Sequence, residues 1–178
     1  MATRNQLNPP PLRKITDFKS KLSGGGARSN LFEVELSFPE AVAVQGVNEV
    51  LNKSRFLTKA AALPASNIAQ INVPFRGRIL KVAGDRSFDT WTITVINDTD
   101  FAIRSAFEKW MNTINRVSDN TGLTNPAEYH ADAYIYQLDR NGDTLRKYHF
   151  YDVFPTNVAA IELGYDQGQN IQEFTVEL

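Results

Sequence analysis

Cysteine is absent from this chain, which removes disulfides, thiolate catalysis and thiolate-bound zinc, and suits folding in a reducing cytoplasm. No apolar run approaches the ~20 residues needed to span a membrane. The N-terminus has no charged-then-apolar leader, so secretion by that route is not expected. Net charge is nearly absent too. At −1, the chain has no long-range field to recruit nucleic acid, a membrane surface or an acidic substrate. Histidine occurs only at His130 and His149. What remains is 42% apolar and 22% charged, the balance of a folded protein. A chain of 178 residues can hide roughly 70% of its unfolded surface from water without staples.

The clearest local signal runs from Gly84 to Arg116. In Trp91-Thr92-Ile93-Thr94-Val95 large apolar residues alternate with threonine, the period of a half-buried strand, so Trp91, Ile93 and Val95 are expected to face a core. Asn97-Asp98-Thr99-Asp100 supplies side-chain oxygens to cap a following helix. In that helix Ile103, Phe107, Trp110, Met111, Ile114 and Val117 recur every three or four residues, while Arg104, Glu108, Lys109 and Asn112 cover the opposite face. The pattern describes a helix laid on a sheet.

Residues 1–29 read differently. Pro9 and Pro10 favour an extended course, Ser23-Gly24-Gly25-Gly26 a flexible joint, and Arg4, Arg13, Lys14, Lys19 and Lys21 make the segment basic. It reads as an extended arm, either a loose tail or a strap on a neighbouring subunit through Pro9, Pro10, Leu12, Ile15 and Phe18. The body, 30–178, starts with the alternating Leu31 to Phe38. Pro39 to Arg55 reads as an insertion loop or a short helix, because Gly46 interrupts it, and Phe56 to Leu63 as a strand. Ile68 to Val82 reads as a long hairpin turning near Phe75-Arg76-Gly77-Arg78. Pro74 moves its strand to an edge or bulge, since proline cannot donate to a ladder. The residues expected to meet a neighbour there are Ile68, Ile71, Val73, Phe75, Arg76, Arg78 and Ile79. His130 to Leu138 and Thr144 to Val153 form a second hairpin around Asn141-Gly142, followed by strands at Val158 to Leu163 and Ile171 to Leu178. The sum is mainly β: an antiparallel sandwich or small barrel of about eight strands, with one flanking helix, a protruding hairpin and an N-terminal arm.

Catalytic and metal templates fail. His130 and His149 lie on opposite arms of the second hairpin near Asp132 and Asp152, a spacing that serves surface pairs as well as acid–base chemistry. Asp139-Arg140-Asn141-Gly142-Asp143 has its glycine too early for a calcium loop and no closing Glu. The glycine run before Ala27 lacks the Lys and Ser/Thr of a phosphate cradle. Arg76, Arg78, Lys81 and Arg86 form a basic cluster without an aromatic platform beyond Phe75, a poor nucleic-acid patch. No catalytic residue, metal ligand or cofactor is expected.

A longer series of matches carries more. Leu63-Pro64-Ala65, Pro74-Phe75, Gly77-Arg78, Val82-Ala83-Gly84-Asp85-Arg86, Phe88-Asp89, Trp91-Thr92, Thr94-Val95 and Asn97-Asp98 precede the helix with Phe107 and Trp110. Pro126-Ala127-Glu128-Tyr129, Pro155-Thr156-Asn157-Val158, Glu162-Leu163 and Asn170-Ile171-Gln172-Glu173-Phe174 follow in order. From about Asn30 onward this resembles the tail tube protein family of contractile-tailed bacteriophages, which has relatives in type VI secretion and other contractile injection systems. The arm is longer than the family pattern, Pro39 to Arg55 looks inserted, and the pattern runs a little past Leu178.

The resemblance implies a structural subunit of the virion, assembled in the host cytoplasm, with no enzyme activity and no cofactor. It implies six-fold rings stacked into a hollow tube, inside a contractile sheath, holding the tape-measure protein and later passing DNA. Baseplate and tail-terminator proteins would meet its ends. A baseplate or tube-end protein of the same tail is the neighbouring alternative. A carbohydrate-binding sandwich, which would need exposed aromatic platforms, is the alternative from another class.

Overall fold

The computed structural model describes residues 14–42, 46–166 and 168–178. Among these, three antiparallel sheets account for the strands. In the first, β1 (Phe32–Leu36), β6 (Ala131–Leu138) and β7 (Thr144–Val153) lie in that order. In the second the order is β2 (Thr58–Ala61), β5 (Thr92–Ile96), β9 (Glu173–Glu177) and β8 (Asn157–Val158). The third contains only β3 (Ser66–Phe75) and β4 (Arg78–Phe88). No sheet closes into a barrel among the described residues, so the sandwich half of the expectation describes the molecule.

Alternation explains the core. Val34 and Leu36 of β1 pair with Ile135 and Ala133 of β6, and all four are buried. Ile93 and Val95 of β5 stand opposite Val176 and Phe174 of β9, again buried. Trp91 precedes its strand by one residue and lies against Phe150, with ring centroids 4.3 Å apart and planes nearly parallel. The long helix α3 (Ala102–Ile114) closes this core with Ile103, Ala106, Phe107 and Trp110. Phe38 meets the Phe107 and Trp110 rings edge-on, at 5.6 Å from each.

One flanking helix is too few. Three further α-helices are described: α1 (Ile15–Lys21), α2 (Val47–Leu57) and α4 (Pro126–Tyr129). Of the two readings of Pro39 to Arg55, an insertion loop or a short helix, the helix holds, and the segment contributes to the core, because Val42 and Val50 are buried on the turn Glu40–Val42 and on α2. Gly46 starts α2 rather than breaking it. Phe56 therefore ends a helix instead of beginning a strand. The arm is not extended where described, since Ile15 and Phe18 lie on α1; Pro9, Pro10 and Leu12 lie outside the described residues. Val117 falls beyond the end of α3 and is exposed, because the chain leaves the helix at Asn115. The cap of α3 keeps the expected aspartate acceptor but shifts by one position. Phe101 occupies the cap position in a left-handed conformation, and Asp100 Oδ1 accepts from the Ala102 N–H at 3.0 Å.

Asp98 and Asp100 have a second task. Both carboxylates accept hydrogen bonds from Lys53 Nζ on α2, tying that helix to the turn before α3. The Lys53 hydrogen bonds are the largest cause holding both carboxyls below their usual range, and those bonds, to Asp100 first, push the ammonium above its own. With depressed carboxyls, the stabilisation is present above their unfolded value of about 4 and is lost as pH falls through the lower folded values. The raised Lys53 contributes below its unfolded value of roughly 10.4 and would lose it only as pH rises through the higher folded value. Lys53→Met is therefore expected to flatten the loss of thermal stability between about pH 5 and 3, read by circular dichroism melts. An unaltered acid slope would show that the clamp is not linked to folding.

The loop after α3 requires a glycine. A Cβ built on Gly122 would lie 1.9 Å from the Ile114 carbonyl oxygen. The loop is held there by Arg116 N–H to Thr121 O at 2.8 Å and Leu123 N–H to Thr113 O at 3.2 Å. Gly122→Ala forces these apart and is expected to cost about 1–3 kcal/mol in urea unfolding, the usual penalty of a forced overlap.

Candidate assembly interface

Among the described residues the hairpin β3–β4 is the one sheet without cover. Its strands pack on each other and on no other described element beyond marginal contact. A two-stranded ribbon is only marginally stable alone in water. Its turn is tight: Arg76 and Gly77 have φ of 45° and 80°, the pair of left-handed residues that a two-residue hairpin turn demands. Glycine takes this conformation freely, whereas Arg76 must be held in it.

The register sorts the side chains. Pairs Ile71↔Val82, Val73↔Leu80 and Phe75↔Arg78 put an apolar row on one face, and Gln70↔Ala83, Asn72↔Lys81 and Pro74↔Ile79 form the other, more polar face. The expected contact set of Ile71, Val73 and Phe75 shares the apolar face. Ile79 lies on the opposite one, Ile68 sits at the bulge near the base, and Arg76 and Arg78 are at the tip, where the Arg76 guanidinium stands 5.3 Å over the Phe75 ring. Leu80 and Val82, missed from sequence, belong to the apolar row. Alternation counted back from the turn would have found them, but adjacent Ile79 and Leu80 leave the face ambiguous until the turn residues are known. Phe75 is 67% exposed and Leu80 63%, so the row meets solvent in the single chain.

α1 repeats the pattern in small. Ile15 and Phe18 of the helix and Leu22 at its C-cap are exposed, and the helix packs on no other described element beyond marginal contact. Contiguous exposed apolar surface of this kind marks interaction sites.

The histidines approach acids as the spacing allowed. His149 Nε2 lies 2.8 Å from Asp132 Oδ2, His130 Nδ1 is 3.8 Å from Asp152 Oδ1, and the Asp152 N–H donates to Asp132 Oδ1 at 3.4 Å. Both pairs are partly exposed; they fasten the β6–β7 end, with the Tyr134 ring stacked on His149 at 4.3 Å. Asp139 accepts from Asn141 and Asp143 N–H groups in the β6–β7 loop, which joins Leu138 to Thr144 around Asn141-Gly142, as expected from the sequence. Among the described residues no group of three or more His, Asp or Glu is placed to hold a metal. On the outward face of the first sheet, burial works to raise the Glu35 carboxyl, but hydrogen bonds from Arg55 at 2.7 Å and Tyr136 at 2.9 Å prevail and hold it low. These are structural ties.

Sandwich, covering helix and bare hairpin together make up a fold that solved components of contractile injection systems share. In solved structures the same fold recurs at a TM-score of 0.60 in the anti-feeding prophage tube-terminating cap (14% identity, 85% of each chain). It recurs at 0.57 in the anti-feeding prophage baseplate (13% identity, 85% of this chain and 89% of that one). In the sheath–tube complex of an extracellular contractile injection system the score is 0.51, at 14% identity over 89% of this chain and 91% of that one. A phage tail tube protein family model matches residues 27–178. The chain is 38% identical to the tail tube protein gp19 of Enterobacteria phage T4 over 157 residues, 88% of this chain and 90% of that one. It is 28% identical to the tail tube protein of Serratia phage KSP90 over 167 residues, 92% of each. The chain belongs to the phage tail tube protein family, a structural component of the virion tail and not an enzyme. Among the described residues no helix is long and apolar enough to cross a membrane.

Proposed function

We propose that this chain closes into six-fold rings that stack as the hollow tube of a contractile tail, with 30–178 as the body and 1–29 as a strap onto a neighbour. The observation that carries this is the β3–β4 hairpin, whose apolar row is exposed and has no cover among the described residues. Heterologous contacts close into rings when the rotation permits, and stacking along the axis extends them. Ile15 and Phe18 of α1 support a second reach, for they too are exposed; Pro9, Pro10 and Leu12 would extend it. In the assembled tail the sheath surrounds the tube, the tape-measure protein fills it, and baseplate and terminator proteins meet its ends. DNA then passes without specific binding. Each lysine or arginine on the wall would exchange counterions with phosphate and add friction. The lumen is therefore lined by short polar and acidic residues, with Arg76, Arg78 and Lys81 turned elsewhere.

Negative-stain electron microscopy of the purified protein at rising concentration tests this. Long tubes support it, and persistent monomers refute it. Isolated rings favour a tube-end component, a reading supported by the likeness to a baseplate and a cap.

A further inference from the structure

A groove of 870 Å³ runs between β7 and the base of the β3–β4 hairpin. Its lining is aromatic: Phe88, Trp91, Tyr148, Phe150, Tyr151 and Phe154 all contribute, and Phe88 and Tyr151 are 67% and 69% exposed. Two kinds of donor meet there without acceptors. β7 is paired with β6 on one side and with no described strand on the other, so every second N–H along it points away from its sheet. Trp91 is stacked on Phe150, and its indole nitrogen is the one buried side-chain polar atom among the described residues that has no hydrogen-bond partner. Buried donors are nearly always met. What the groove lacks is a ligand with apolar rings and carbonyl oxygens.

The chain carries one such segment, outside the described residues. In Asn8-Pro9-Pro10-Pro11-Leu12 three consecutive residues present a ring and a carbonyl and have no N–H to give. Consecutive prolines favour the polyproline II helix, and aromatic-lined grooves are common receptors of that helix. The sizes agree. Polyproline II advances about 3.1 Å per residue, so residues 8–12 span roughly 15 Å. β7 from Arg146 to Val153, both of which line the groove, runs roughly 23 Å at about 3.3 Å per residue. The root of the arm is close by. The Arg28 C=O accepts from Gln137 Nε2 at 2.6 Å, and Gln137 stands opposite Arg146 in the β6–β7 register, about two strand widths or ~10 Å from the groove. The seven residues of α1 cover ~10 Å, and the others between Leu12 and Arg28 up to ~3.3 Å each, which is ample to bring residues 8–12 back along their own body.

We infer that in the free subunit residues 8–12 lie as a polyproline II segment in this groove of their own chain, with proline rings on the aromatic lining and carbonyls accepting from Trp91 and from the outward N–H groups of β7. A short tether holds the segment at an effective concentration of about millimolar, which favours its own groove over a second copy's in dilute solution. Apolar surface and open edge are thereby shielded until assembly displaces the arm and frees it to reach a neighbour. That shielding rests on the ring reading above; the docking does not.

The indole N–H signals in nuclear magnetic resonance spectra of the isotope-labelled full chain test the docking, since Trp91 and Trp110 are the only tryptophans and Trp91→Phe assigns them. In a chain carrying Pro9→Ser, Pro10→Ser and Pro11→Ser, the Trp91 signal is expected to move and its exchange with solvent to quicken at least tenfold. The Trp110 signal, held by the Tyr129 carbonyl, should stay in place. A Trp91 signal identical in both chains overturns the docking, as does a displacement that appears only as protein concentration rises, which would put the segment in another copy. Light scattering tests the shielding: the triple variant should assemble with a lag at least threefold shorter than that of the unmodified chain. An equal lag overturns the shielding and keeps the docking. Unmodified chains that never assemble overturn the ring reading, and the shielding with it, while the Trp91 signal still decides the docking.

Discussion

Trp110→Ala is expected to destabilise the subunit by about 3–5 kcal/mol, the range for emptying the site of a large buried aromatic. The residue is almost wholly buried, meets Phe38 edge-on at 5.6 Å and stacks near Phe107 at 6.2 Å. Its indole N–H also donates to the Tyr129 carbonyl at 2.7 Å, fixing α4 beside α3. Trp110→Phe keeps much of the ring packing and loses that bond, so it should cost less, about 1 kcal/mol from the hydrogen bond plus the smaller ring. Guanidinium unfolding of the two variants checks the order. A loss below about 1 kcal/mol for Trp110→Ala would mean that α3 does not close the core as described.

Leu80→Asp is expected to have the opposite profile: little change in the monomer and loss of assembly. Surface substitutions away from special features usually lie within ±0.5 kcal/mol, and Leu80 is 63% exposed in the single chain. A carboxylate in the middle of the apolar row would have to be buried unpaired when a neighbour covers that face, a cost of several kcal/mol that an interface cannot absorb repeatedly around a ring. Gln70→Asp places the same charge on the other face of the ribbon and should be tolerated better. Sedimentation velocity at matched concentration separates the outcomes. Large species from Leu80→Asp in normal yield would show that the apolar row is not at a subunit boundary.

The contrast between these two substitutions reflects where each apolar residue goes. Trp110 and Leu80 look alike in composition, and sequence periodicity placed the first correctly because a helix repeats its buried face every three or four residues over many turns. Ile93, Val95 and Phe107 were legible in the same way, and they are buried. The hairpin was visible as two strands about a basic tip. Its faces were not, since Arg78-Ile79-Leu80-Lys81-Val82 fits either alternation and only the pairing of Phe75 with Arg78 across Arg76-Gly77 selects one. α2 was obscured by Gly46, which reads as a breaker until it is seen at the helix start. α1 was hidden by nearby prolines and glycines.

By itself, then, the order of residues determined a β-rich sandwich, a core built around Trp91, Ile93, Phe107 and Trp110, a projecting hairpin and, through many ordered matches, the family. These follow from local periodicity and turn chemistry, which act between residues close in the chain. Tertiary structure alone decided that β7 keeps an open edge, that a groove lies between it and the hairpin base, that Leu80 and Val82 share a face with Val73, and that Lys53 clamps Asp98 and Asp100. Each of those depends on which distant segments are brought side by side, a matter of register and packing that no local pattern encodes.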